Sequence, residues 1–252
     1  MVEKGMGRRR FFSIRAIAPS VVTMLAFCAG LTAIRFGLMG KWELSCAAIV
    51  VAGVFDGLDG TVARLLKASS KFGAELDSLS DISVFGICPA ILIYLWAFED
   101  FSRYGWVAVL IYAIACILRL ARFNARLEDE DEPHRQLGYN TGIPAPMGAA
   151  LAISPIASDF TFFPGLVQSN PAFLAIYMVL VAFLMISEIP TLSLKSVRVA
   201  RKWFVPLMLM IGISIAGVIV FTWETLLAIA VIYMLTLPFS WLHYRRKKAS
   251  MA

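Results

Sequence analysis

Eight apolar stretches recur along the chain, at Ile17–Ile34, Glu43–Leu66, Asp77–Phe98, Tyr104–Ala121, Pro144–Phe163, Ala172–Ile189, Trp203–Thr222 and Thr225–His243. Each approaches the roughly 20 residues that a helix needs to cross a hydrocarbon core of about 30 Å. Lipid offers no partner to a free N–H or C=O, so such stretches predict helices and an all-α polytopic bundle. Composition agrees: 60% of the residues are hydrophobic and only 16% are charged, against about 25% charged in a soluble domain. A disordered or collagen-like chain is excluded.

Charge placement predicts the orientation. With eight spans, 20 of the 23 Lys and Arg residues fall on one side, leaving Arg35, Lys41 and Arg103 on the other. The positive-inside rule then puts both termini in the cytoplasm, in a prokaryotic-type cell membrane. The expected layout is an interfacial segment over 1–16, a transmembrane core over 17–190 and a cytoplasmic loop over 191–202. Two additional helices over 203–243 and a basic tail over 244–252 complete it. Juxtamembrane Lys and Arg beside apolar spans read as topology and anionic-lipid contacts, not as a nucleic-acid surface. Arg8–Arg10 with Phe11 and Phe12 suggests a short interfacial helix, and the first span reads as retained, not as a cleaved signal. The acidic run Glu128–Glu132 reads as a solvated loop face. Cys28, Cys46, Cys88 and Cys116 all lie in apolar stretches without metal-site spacing, and read as small apolar fillers.

Aspartates break the second and third stretches. Asp56 and Asp59 are three residues apart, and Asp77 and Asp81 four apart, so each pair shares one helix face. The two helices are consecutive and joined by a short turn, which lets four carboxylates converge. One aspartate at the middle of a membrane helix costs about 2.5–3.5 kcal/mol on insertion scales, so a cluster requires compensation. Two divalent cations would balance four carboxylates. All-oxygen ligation suits Mg²⁺ or Mn²⁺, with Ca²⁺ a further possibility, and the absence of nearby His or Cys disfavours zinc. Such a metal pair is suited to a phosphoryl or diphosphate group. Gly57, Gly60, Ala63 and Gly73 leave room for a polar ligand beside the backbone, and Arg64 is placed to grip a phosphate.

The residues Asp56-x2-Asp59-Gly60-x2-Ala63-Arg64-x8-Gly73-x3-Asp77-x3-Asp81 resemble the signature of the CDP-alcohol phosphotransferase family. The resemblance implies a six-helix core, usually a homodimer, in which an alcohol displaces CMP from a CDP-linked lipid. It implies Asp56, Asp59 and Asp77 as metal ligands. Asp81 becomes the base that activates the alcohol, with a further contact to the second metal. Thr23, Gly60, Ala63, Arg64 and Gly73 are then the CDP-lipid-binding residues. One departure is Pro19-Ser20-x-x-Thr23, where related enzymes tend to carry Asn in place of Ser20; the serine is expected to cap the first helix. The last two spans lie outside the family core.

Segments beginning at Ser78, Arg119 and Gly142 further resemble the membrane-embedded, serine-accepting branch. That implies CDP-diacylglycerol and L-serine as substrates and CMP as a product. Serine carries a carboxylate, so its site needs a cation; Arg119, Arg122, Asn124 and Thr141 are the candidates, with Asn140 beside them. Glu188 reads as a buried acid, either packed against an arginine or touching substrate. Glycerol phosphate, inositol phosphate or choline stay open as acceptors. An ion or proton transporter is the alternative from another class; it would scatter acids along a pathway.

Overall fold

Helix occupies every one of the eight apolar stretches in the computed structural model, which describes residues 14–66, 70–127, 139–192 and 204–249. The helices are α1 (Ile14–Leu38), α2 (Trp42–Leu66), α3 (Lys71–Ala97), α4 (Ser102–Leu127), α5 (Ala145–Thr161), α6 (Pro171–Ile186), α7 (Phe204–Val220) and α8 (Thr222–Ala249). Among the described residues, five are long and apolar enough to cross a membrane: α1, α2, α3, α4 and α8. The expected count of eight is therefore not met by length alone. Helices α5 and α7 have 17 residues and α6 has 16, which at 1.5 Å per residue is about 25 Å, short of the hydrocarbon thickness. Prolines set two of these limits, since α5 starts after Pro144 and α6 starts at Pro171. Most of the interfacial segment, the run Glu128–Glu132 and residues 193–203 lie outside the described residues.

Helices α1 and α2 form a hairpin closed at Met39–Lys41, where Gly40 takes the left-handed conformation (φ 69°) that a side chain disfavours. Helix α3 packs on α1, α4 on α3 and α6, and α5 on α2, α3, α6 and α8, while α7 packs chiefly on α8. The core lies where α3, α4, α5 and α6 meet, around Phe85, Ile93, Tyr112, Ile156 and Met178. Cys46, Cys88 and Cys116 are buried free thiols, as expected of fillers, whereas Cys28 is exposed.

Two features have no counterpart in the sequence-based expectation. Strand β1 (Tyr139–Thr141) pairs antiparallel with β2 (Pro190–Leu192), tying the entry of α5 to the exit of α6. Gly142 follows β1 at φ 70°, and a Cβ there would sit 2.5 Å from the Met185 carbonyl oxygen, so only glycine fits. Helix α3 also widens into a π-turn over Ile82–Ile87, directly after Asp81. Pro89 explains it. Proline has no N–H to offer the carbonyl four residues back and its ring crowds that carbonyl. The carbonyl four residues before Pro89 is that of Phe85, and the fully buried Tyr112 hydroxyl donates to it at 2.8 Å. Tyr112→Phe is expected to destabilise the protein by about 1–3 kcal/mol, the cost of a buried acceptor without a donor. A lowered thermal midpoint in detergent checks this; an unchanged midpoint contradicts it.

Candidate active site

Helix α3 starts with a cap. Ser70 is extended (φ −134°, ψ 152°) and its hydroxyl accepts the Gly73 N–H at 3.0 Å. From that start Gly73, Asp77 and Asp81 follow at one-turn spacing on a single face. On α2, Asp56 and Asp59 are three residues apart and share a face.

The four carboxylates meet. Asp56, Asp59 and Asp77 each present an oxygen within 4.8 Å of the other two. Asp81 stands outside that trio with its carboxyl beside that of Asp56, while the Asp77 carboxyl lies beside that of Asp59. Carboxyl groups so close repel unless a proton or a cation lies between them. Asp59 is 7% exposed, and Asp77 Oδ1 is buried without a hydrogen-bond partner. An all-oxygen trio with a buried, unsatisfied lone pair fits a hard divalent cation.

Thr23 joins three helices. Its hydroxyl donates to Asp59 Oδ2 at 2.8 Å, with a longer 3.2 Å contact to the Pro19 carbonyl, and its own carbonyl accepts from Ser80 Oγ at 3.4 Å. One hydroxyl has one proton, and the shorter bond to the charged group dominates. Thr23→Val is expected to cut CMP release roughly tenfold to a hundredfold, since a hydrogen bond to a charged group contributes about 1.5–3 kcal/mol. Thr23→Ser should restore most of the activity; equal loss in both variants would assign the effect to packing.

Beside the carboxylates lies a cleft of about 140 Å³ between α1, α2 and α3. Thr23, Asp59, Gly60, Ala63, Gly73 and Asp77 line it, as do Pro19, Ser20, Ser70 and Ala74. A Cβ on Gly57 or Gly60 would meet nothing within 4 Å, so this backbone is open to a ligand, whereas one on Gly73 would press on Ser70 Oγ at 3.1 Å. Ser20 does not cap α1, which begins six residues earlier at Ile14; it lines the cleft instead. Arg64 is exposed and folds back on its own helix, its Nε donating to Gly60 C=O one turn earlier at 3.1 Å.

The residues expected to bind the acceptor separate. Arg119 lies within electrostatic reach of Asp81 and of Tyr233 on α8; its buried Nε has no hydrogen-bond partner, and its guanidinium lies 5.7 Å from the Phe123 ring centre. Arg122 is not aimed at the carboxylates. Its Nη1 donates to the Ile186 carbonyl at 2.7 Å, capping α6. Asn124 donates to Ser78 Oγ at 2.9 Å, fastening α4 to the helix that carries Asp77 and Asp81. Thr141 belongs to β1, and its side chain, like that of Asn140, lies outside the described residues. Glu188 corrects the expectation of a buried acid, because α6 ends at Ile186 and Glu188 is exposed beyond it. Ser70 and Ala74 were missed at the sequence level; a Ser three residues before Gly73 at a helix start was the available signal.

A polytopic helical bundle with this motif on facing helices defines a class, and the comparisons agree. The sequence matches the CDP-alcohol phosphatidyltransferase family over residues 16–186, so the chain belongs to the CDP-alcohol phosphotransferase family and is an integral membrane enzyme. A further match, to CDP-alcohol phosphatidyltransferase 2, covers residues 202–238. The last two helices, expected to lie outside the core, thus carry a family match of their own. The chain is 38% identical over 230 residues to a CDP-diacylglycerol–serine O-phosphatidyltransferase of Mycobacterium leprae, covering 91% of this chain and 76% of that one. It is 37% identical over 240 residues to the protein so named from Mycobacterium tuberculosis, covering 95% and 82%. Among solved structures, the phosphatidylinositol phosphate synthase of Mycobacterium tuberculosis with CDP-DAG bound aligns at 27% identity. That alignment has a TM-score of 0.49 and covers 65% of this chain and 82% of that one.

Proposed function

We propose that the enzyme transfers the phosphatidyl group of CDP-diacylglycerol to the hydroxyl of L-serine, giving phosphatidylserine and CMP. The observation that carries the reaction class is the trio Asp56, Asp59 and Asp77, within 4.8 Å of one another and opening on a cleft with exposed glycine backbone. The serine acceptor draws support from the shared name of the mycobacterial relatives, which align over nine-tenths of this chain.

Asp56, Asp59 and Asp77 would hold Mg²⁺ or Mn²⁺, with Asp81 touching the second ion. Bound there, the ions supply positive charge to the diphosphate and to the departing CMP. The remaining steps belong to the protein. Thr23 fixes the Asp59 carboxylate, and Gly57 and Gly60 let the diphosphate lie against α2. Arg64 turns from the Gly60 carbonyl to a phosphate oxygen. Asp81 takes the proton of the serine hydroxyl. That oxygen forms a bond to the phosphorus bearing diacylglycerol, and the bond from this phosphorus to the CMP oxygen breaks in one displacement. Arg119, beside Asp81, pairs with the serine carboxylate. Arg122 and Asn124 hold α6 and α4 against the site. The charge distribution supports a cytoplasmic site with both termini inside, so that the acyl chains stay in the inner leaflet. A homodimer is the assembly that the family resemblance implies.

The test is product analysis. Purified protein with CDP-diacylglycerol and Mg²⁺ or Mn²⁺ is offered labelled serine, glycerol phosphate, inositol phosphate or choline, and the lipid is identified by mass. Phosphatidylserine is the expected product. Another lipid, with serine inert, would overturn the acceptor and leave the reaction class standing.

A further inference from the structure

We propose that the bundle carries a second lipid site, at the end opposite the aspartates, that takes a phospholipid whose headgroup bears an ammonium. The α1–α2 turn and the far ends of α3 and α5 surround a cavity of about 410 Å³ lined by Lys41, Trp42, Glu43, Trp96, Asp159 and Phe160. On α2, 16 residues separate Glu43 from Asp59, about 24 Å of helix, so the cavity and the carboxylate cluster lie near opposite faces of the membrane. Its volume falls within the usual range of ligand sites.

The lining states what it would bind. It carries two carboxylates, Glu43 and Asp159, and one lysine, Lys41. Glu43 Oε1 accepts the Trp223 indole N–H at 3.1 Å, and Asp159 Oδ1 accepts the Gly165 N–H at 2.9 Å. Among the described residues the second oxygen of each carboxylate has no other partner. Trp42, Trp96 and Phe160 add aromatic faces. Carboxylate oxygens beside aromatic rings favour an alkylammonium by ionic attraction and cation–π contact, and Lys41 offers its charge to the adjoining phosphate. That pairing matches a zwitterionic headgroup and discriminates against an anionic one.

A lipid, not a soluble amine, is indicated by what adjoins the cavity. An apolar slot of about 150 Å³ runs between α2, α5 and α8, past Val50, Ile153, Leu226 and Ala230. Trp223 is the shared wall. It lines the slot, bonds Glu43, and stands edge-on to Phe160 with ring centres 5.2 Å apart. A headgroup in the cavity is thus placed to send an acyl chain into the slot. Because α8 supplies Trp223, the site depends on the last helix pair. The inference is independent of which alcohol the enzyme accepts.

Native mass spectrometry of the delipidated full chain tests it, with phosphatidylethanolamine and phosphatidylglycerol of identical acyl chains. Retention of the amine lipid is expected to exceed that of the glycerol lipid by about tenfold. In the Glu43→Gln/Asp159→Asn variant the two lipids should be retained to within about twofold of each other, with CMP release kept. If that variant does not fold, Glu43→Gln alone serves, because its amide oxygen still accepts from Trp223. Equal retention by the unaltered protein, or a preference that survives both substitutions, overturns the site. Displacement by soluble glycerophosphoethanolamine at equal concentration would leave an amine pocket and overturn the lipid.

Discussion

Asp77→Asn is expected to lower CMP release at least about a thousandfold and to abolish the divalent-ion dependence of CDP-lipid binding. Asp77 Oδ1 is buried and has no hydrogen-bond partner, which in a carboxylate cluster leaves the position to a cation or a proton. An asparagine keeps the size of the side chain but loses the charge and one strong acceptor oxygen. Titrating Mg²⁺ or Mn²⁺ into both proteins, while following CMP release and CDP-lipid binding, checks the expectation. Activity within tenfold of the original, with an unchanged metal titration, would show that the trio is not a metal site. Chelation by EDTA should reproduce the loss in the unaltered protein and be reversed by added metal.

Asp81→Asn is expected to behave differently. Turnover should fall by about 10²–10⁴, the usual contribution of a positioned general base, while metal-dependent CDP-lipid binding stays within a few-fold. Asp81 stands outside the trio and meets it through Asp56, so its loss leaves the three proposed ligands in place. The informative comparison is kcat against lipid affinity in the two variants. Loss of binding in both would make Asp81 a ligand in the first place; full activity of Asp81→Asn would remove it as the base.

The carboxylate site was legible because its geometry is local. Spacings of three and four residues on two helices joined by a short turn leave few ways for Asp56, Asp59, Asp77 and Asp81 not to meet, and the expense of acids in apolar helices marks them as functional. The acceptor residues were not legible in the same way. Arg119 and Arg122 differ by three positions on one helix, yet one lies within electrostatic reach of Asp81 and the other caps α6. The choice depends on where α6 ends, which no spacing within α4 encodes. Three-residue strands are likewise too short to show alternation, and β1 finds its partner some fifty residues away. The π-turn lies just before Pro89, and one of its carbonyls takes a hydroxyl donor from another helix.

Apolar length, the absence of water as a hydrogen-bond partner in lipid, and the recurrence of acids at helical spacing determined by themselves that this chain is a helical membrane protein with a cluster of acids on two of its helices. Tertiary structure decided how long each helix runs, that Arg122 caps α6, and that Thr23 on α1 bonds Asp59 on α2. The division has one physical cause. Helical periodicity is written into neighbouring residues, whereas the partner of a buried donor or carbonyl is chosen only when distant segments pack together.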